Sequence, residues 1–132
     1  MKPNVISTIA SLLTILLLTF HVTDDILRNQ GGSAQGGVIN LIVPLIVIVW
    51  LYGTLVLAEQ RLGYIITLVG SLFATLPAVG HLTGMGDVVV GEIAKSSGAF
   101  FVWVVVALGP TAVFSLILSA RGLWSLQKGQ SR

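Results

Sequence analysis

The chain of 132 residues predicts an all-α integral membrane protein, a four-helix bundle running up-down-up-down with its N and C termini on the cytoplasmic side. Three observations carry that expectation. The composition is 55% hydrophobic and only 9% charged, with a mean hydropathy of +0.97, whereas soluble domains carry about a quarter charged residues. Four blocks are nearly or wholly free of charge: Val5–Val22, Val38–Ala58, Leu62–Leu82 and Gly98–Ala120. Each runs for about 18–23 residues, and about 20 helical residues cross a hydrocarbon core. Two of the blocks, finally, share one ladder of small or polar residues. Hydrocarbon offers no water to the backbone, so each continuous block must pair its own polar groups as a helix. Transmembrane strands would instead be shorter and alternating.

The expected helices are residues 5–27, 38–58, 62–82 and 97–121, in a single transmembrane domain spanning 1–132 with no repeat or low-complexity tract. The first carries the ladder Ser7, Ser11, Thr14, Leu18, His21, Asp25, stepping by four and three residues alternately, which keeps side chains on one helical stripe. Its start resembles a secretory leader, but Phe20-His21-Val22-Thr23-Asp24-Asp25 lacks the small-x-small pattern a signal peptidase reads, so cleavage is not expected. The glycine-rich stretch Asn29–Gly37 reads as a flexible linker. The second helix has a more apolar line: Asn40, Pro44, Val47, Leu51, Thr54 and Ala58. A very short turn, Glu59-Gln60-Arg61, makes the second and third helices neighbours.

On the third helix the ladder is Gly63, Thr67, Gly70, Ala74, Pro77, His81. Small residues let membrane helices approach closely, and hydroxyls bond across the contact. The two ladders are therefore read as a packing seam joining the first and third helices across the bundle axis. The third loop, Thr83–Ser97, holds Gly84-Met85-Gly86-Asp87 and a stretch, Val88–Lys95, suited to a short interfacial helix with Val88, Val89 and Ile93 towards lipid. The fourth helix contributes Gly98, Gly109, Ala112 and Ser119. Its tail places Trp124 near Arg121 and Lys128, as an interfacial anchor. Pro44, Pro77 and Pro110 lie inside helices, where each removes a backbone bond and is expected to bend its helix.

Charge sets the orientation. Lys2, Arg61, Arg121, Lys128 and Arg132 fall on one side of this topology, and only Arg28 and Lys95 on the other. The richer side is cytoplasmic, which suits a bacterial-type inner (plasma) membrane protein. Asp24, Asp25, Asp87, Glu92 and both histidines fall on the outer side, and only Glu59 on the inner. With no cysteine, thiolate ligands and nucleophiles are excluded.

His21 and His81 end the two ladders at similar depth, with Asp25 one turn beyond His21. Ionisable groups at membrane depth are costly and often functional, although Asp24 paired with Arg28 at i,i+4 and histidines within reach of water would need no function. Three functional readings stay open. His21, Asp25 and His81 suit a divalent metal. His21 and His81 suit bis-histidine haem ligation, with Gly80 or Gly84 relieving crowding and Arg28 and Lys95 meeting the propionates. A titrating histidine also suits a proton or ion relay, but no charge lies between either histidine and the inner surface.

No catalytic motif, nucleophile–base arrangement or phosphate loop is present, so enzymatic activity is not expected. The few basic residues lie against the membrane, which argues against nucleic acid as a partner. The lipid bilayer is the expected environment, and the expected role is a non-enzymatic accessory or assembly subunit of a larger membrane complex, or a bundle that associates with itself. The alternative is a small ligand-, metal- or haem-binding membrane protein or transporter using the outer His/Asp site.

Overall fold

The computed structural model describes the backbone of residues 3–29, 34–83 and 90–129, and the side chains of 4–27, 42–81, 83 and 98–129. It is all-helical: α1 Pro3–Asn29, α2 Ala34–Leu55, α3 Arg61–Thr83 and α4 Val90–Gln127. Three of the helices are long and apolar enough to cross a membrane, over Asn4–Leu27, Arg61–His81 and Gly98–Gln127. The apolar part of α2 among the described residues is shorter, Ile42–Leu55.

The distribution of side chains is the reverse of a water-soluble protein. Ser7, Ser11, Thr14, Thr54, Thr67, Ser71, Ser115 and Ser119 are buried, while Ile9, Leu13, Leu45, Ile48, Phe73 and Phe100 are exposed. Hydrocarbon is as apolar as leucine, so large apolar side chains lose nothing by facing it, and small or hydroxylated ones gain by packing against other helices. This pattern suits a membrane and would leave a soluble protein with an apolar surface and a polar core.

Helix limits depart from expectation at several ends. α2 begins at Ala34, so the last residues of the glycine-rich stretch are helical, and it ends at Leu55 instead of 58. Turn residues 56–60 follow, closed by Gln60 N donating to the Leu57 carbonyl at 2.9 Å. α4 runs on to Gln127, past the expected 121, and at its other end a separate helical segment from Val90 joins it at a kink at Gly98. The long membrane-spanning part thus begins at Gly98, next to the expected 97. Gly98 has φ 74° and ψ −175°, a region that side-chain-bearing residues enter only at a cost of about 1–3 kcal/mol. The helices continue through Pro44, Pro77 and Pro110, and among the described residues Gly98 is the one interior position with non-helical angles. Beside Pro110, Thr111 Oγ1 donates to the Ala107 and Leu108 carbonyls of its own helix.

The ladder on α1 is buried from Ser7 to His21, as its spacing required. α1 packs mostly against α4, then α2, and least against α3, the partner expected from the ladders. Ser11 reaches α2, with its hydroxyl 2.7 Å from Thr54 Oγ1 and accepting from Trp50 Nε1 at 3.0 Å. Thr54 in turn lies 3.4 Å from Thr67 on α3. Gly63 and Gly70 also face α2: a Cβ on Gly70 would come within 2.7 Å of the Trp50 ring. Trp50 and Thr54 therefore stand between the hydroxyls of α1 and the small residues of α3. Thr14 does not bond across; its hydroxyl donates to the Ala10 carbonyl of its own helix. A cavity of about 10 Å³ beside this network is lined by Ser7, Ser11, Thr54, Tyr64 and Thr67, close to the room one water needs.

Trp50 is 1% exposed and can only donate, so Ser11 matters twice. Ser11→Ala removes the acceptor for the indole and the partner of Thr54, and is expected to lower stability by about 1–2 kcal/mol. Adding Trp50→Phe to that variant should cost less than Trp50→Phe alone, because the stranded donor is then gone. Thermal unfolding of the four proteins in one detergent checks both statements.

Towards the other end the core becomes apolar: Ile15, Leu18, Trp50, Ala74, Leu108 and Ala112 form one cluster, and Phe101 and Val105 a second. α4 supplies a ladder of its own, Phe101, Val105, Leu108, Ala112, Ser115, Ser119 and Gly122, every member buried. Ser71 Oγ donates to Ser115 Oγ at 2.8 Å, tying α3 to this ladder. At the tail, Lys128 Nζ sits 4.3 Å over the exposed Trp124 ring, as an interfacial anchor would have it.

Candidate metal centre

Two helix ends build the site. α1 brings His21 to the buried stripe because 21 continues the series 7, 11, 14, 18, and one further turn adds Asp25 on the same face. α3 brings His81 by the same arithmetic from Gly70, Ala74 and Pro77. Above the apolar cluster the two helices meet tip to tip. The imidazoles of His21 and His81 lie 5.2 Å apart between centroids, edge to face at 73°. His21 Nε2 is 3.3 Å from Asp25 Oδ2. One ligand atom from each of His21, Asp25 and His81 lies within 4.8 Å of the others.

Nothing in the sequence singles out Phe101, yet α4 places it against both imidazoles. Its ring centroid is 5.5 Å from that of His21 and 5.6 Å from that of His81. Phe101 is 1% exposed. It closes the site on the side of the apolar core, and the three rings fix one another's orientation. The signal that would have found it is the four-and-three spacing from Phe101 to Gly122, obscured because its first members are large and apolar rather than small.

Burial grades across the site. His21 is 3% exposed, whereas the Asp25 side chain is 42% exposed, with His81 between them. Asp24 and Asp25 diverge as adjacent residues on a helix must, and the ligand cluster contains Asp25. Arg28, Asn40, Gly84, Asp87, Glu92 and Lys95, which the sequence placed near this end, have side chains outside the described residues, as do the proposed interfacial positions Val88, Val89 and Ile93.

What the arrangement can hold follows from its dimensions. Tetrahedral zinc has bonds of about 2.0–2.2 Å, so its donors stand roughly 3.3–3.5 Å apart. The His21–Asp25 pair already has that spacing, and the His81 donor lies within 4.8 Å of both. Haem does not fit. Its two axial imidazoles must lie on opposite faces of a wide flat ring, whereas here the imidazoles touch edge to face and share Phe101 as a wall. The expectation of haem between His21 and His81 is therefore set aside in favour of an ion. Neither a family model nor a curated protein nor a solved structure matches this chain.

Proposed function

We propose that the protein is a small membrane protein that binds one divalent transition-metal ion through His21, Asp25 and His81. The observation that supports this best is the convergence of two imidazoles and a carboxylate, from two helices far apart in sequence, to within 4.8 Å. Two nitrogens and one oxygen suit zinc, copper(II) or iron(II) and are a poor set for calcium or magnesium, which take oxygen donors. The four helices form an up-down-up-down bundle with both termini in the cytoplasm, so that the metal faces the outer side of the inner membrane; the bias of basic residues towards Lys2, Arg61, Arg121, Lys128 and Arg132 supports that orientation.

An ion or proton relay through the bundle is a weaker reading. Leu18, Ala74, Phe101, Val105 and Leu108 are buried between the histidines and the hydroxyl network, and apolar side chains offer a moving ion no ligand. A role as accessory subunit has no specific observation in its favour, since exposed Phe100, Trp103 and Trp124 are what lipid contact alone requires.

Equilibrium dialysis of the purified full chain in mild detergent against Zn²⁺ tests the proposal. One ion per chain, retained against a weak chelator, is expected. Sub-stoichiometric zinc that a weak chelator strips would remove it.

A further inference from the structure

Resting on that metal reading, we propose that the ion held by His21, Asp25 and His81 keeps one coordination position open on the aqueous side, and that a small monodentate anion or hydroxide occupies it. Three protein ligands are one fewer than a tetrahedral ion takes, and sites of that kind hold water or an exogenous ligand in the fourth place. Among the described residues the ligand cluster consists of these three.

The protein itself determines where the fourth place lies. On the inner side, Phe101 packs on both imidazoles, and carbon cannot ligate. Behind it the apolar side chains of Leu18, Ala74, Val105 and Leu108 are buried. On the opposite side, the exposed part of the Asp25 carboxylate lies near the end of α1, where exposure means water: the same carboxylate in hydrocarbon would be costly. The site is thus walled by apolar side chains towards the membrane interior, and among the described residues its exposed edge is Asp25.

Charge then selects the ligand. Two neutral imidazoles and one carboxylate leave a divalent ion with a net charge of about +1 next to a low-dielectric core. An anion cancels that charge and a neutral ligand does not. The bound partner is therefore a hydroxide or a small anion with a single donor atom.

Cobalt(II) makes the prediction visible, because its ligand-field spectrum responds to each change of ligand. The full chain in detergent is loaded with Co²⁺ and titrated with azide. A spectral shift saturating at one azide per cobalt is expected. A one-to-one cobalt complex whose bands do not respond to azide would mean the coordination is complete; the open position would then be wrong and the metal site would stand. If the chain takes up no Co²⁺, or if His81→Ala takes it up with an unchanged spectrum, the metal reading and the open position both fall.

Discussion

Replacing His81 with alanine is expected to weaken Zn²⁺ binding at least about 100-fold while leaving the helices intact. Loss of a group that merely supports a ligand already costs 10–100-fold, and His81 is the sole contribution of α3 to the ligand cluster. The variant is also a mild one structurally. His81 is half-buried near the end of α3, so its removal opens less buried space than that of His21, though it gives up the ring contacts with His21 and Phe101. His21→Ala is less informative, because His21 is buried against Phe101 and its removal opens a cavity as well. Competition with a coloured chelator measures the affinity, and circular dichroism the helix content. Unchanged affinity would place any bound ion elsewhere.

Gly63→Ala is expected to be among the most damaging single changes in the chain, costing about 3 kcal/mol or more, at the upper end of overpacking. A Cβ at this position would come within 2.5 Å of the Leu57 carbonyl carbon and 2.8 Å of the Gly53 carbonyl oxygen. Both are backbone atoms, so no rotamer change relieves the clash, and the 56–60 turn and the end of α2 must move away from α3. The displacement would pull Trp50 and Thr54 from Ser11 and Thr67. Gly80→Ala is the matching control. Nothing lies within 4 Å of its Cβ, and alanine favours a helix by up to about 1 kcal/mol. Melting temperatures in one detergent should therefore fall for the first variant and hold or rise for the second. Equal effects would contradict the close α2–α3 approach.

The contrast shows which parts of the molecule were legible in its sequence. Helical blocks were legible because hydrocarbon leaves the backbone little choice, and the two ladders were legible because four-and-three spacing is fixed by helix geometry. Ser7 to His21 and Gly63 to Ala74 are inside as that spacing required. The identity of the facing helix was not legible. A stripe says which side of a helix is buried but not against what, and Trp50, large and apolar, carried no sign that its indole would bond Ser11. Phe101 was missed for a related reason. In a membrane helix a buried phenylalanine and a lipid-facing one such as Phe100 are chemically alike, and only their phase relative to Ser115 and Ser119 separates them. The residues of the candidate site were legible as candidates, because charged and titratable residues are rare enough in these helices for His21, Asp25 and His81 to stand out. Their mutual approach needed the structure, as it depends on how α1 and α3 lean at one end.

The central claim is that both histidines bind one ion. Extended X-ray absorption at the zinc edge of the loaded full chain tests it most directly, because imidazole rings produce outer-shell scattering that other ligands lack. Two imidazoles per zinc, with oxygen donors completing a shell at about 2.0–2.1 Å, is the result this account requires. A zinc shell of oxygen alone, or with a single imidazole, would contradict it.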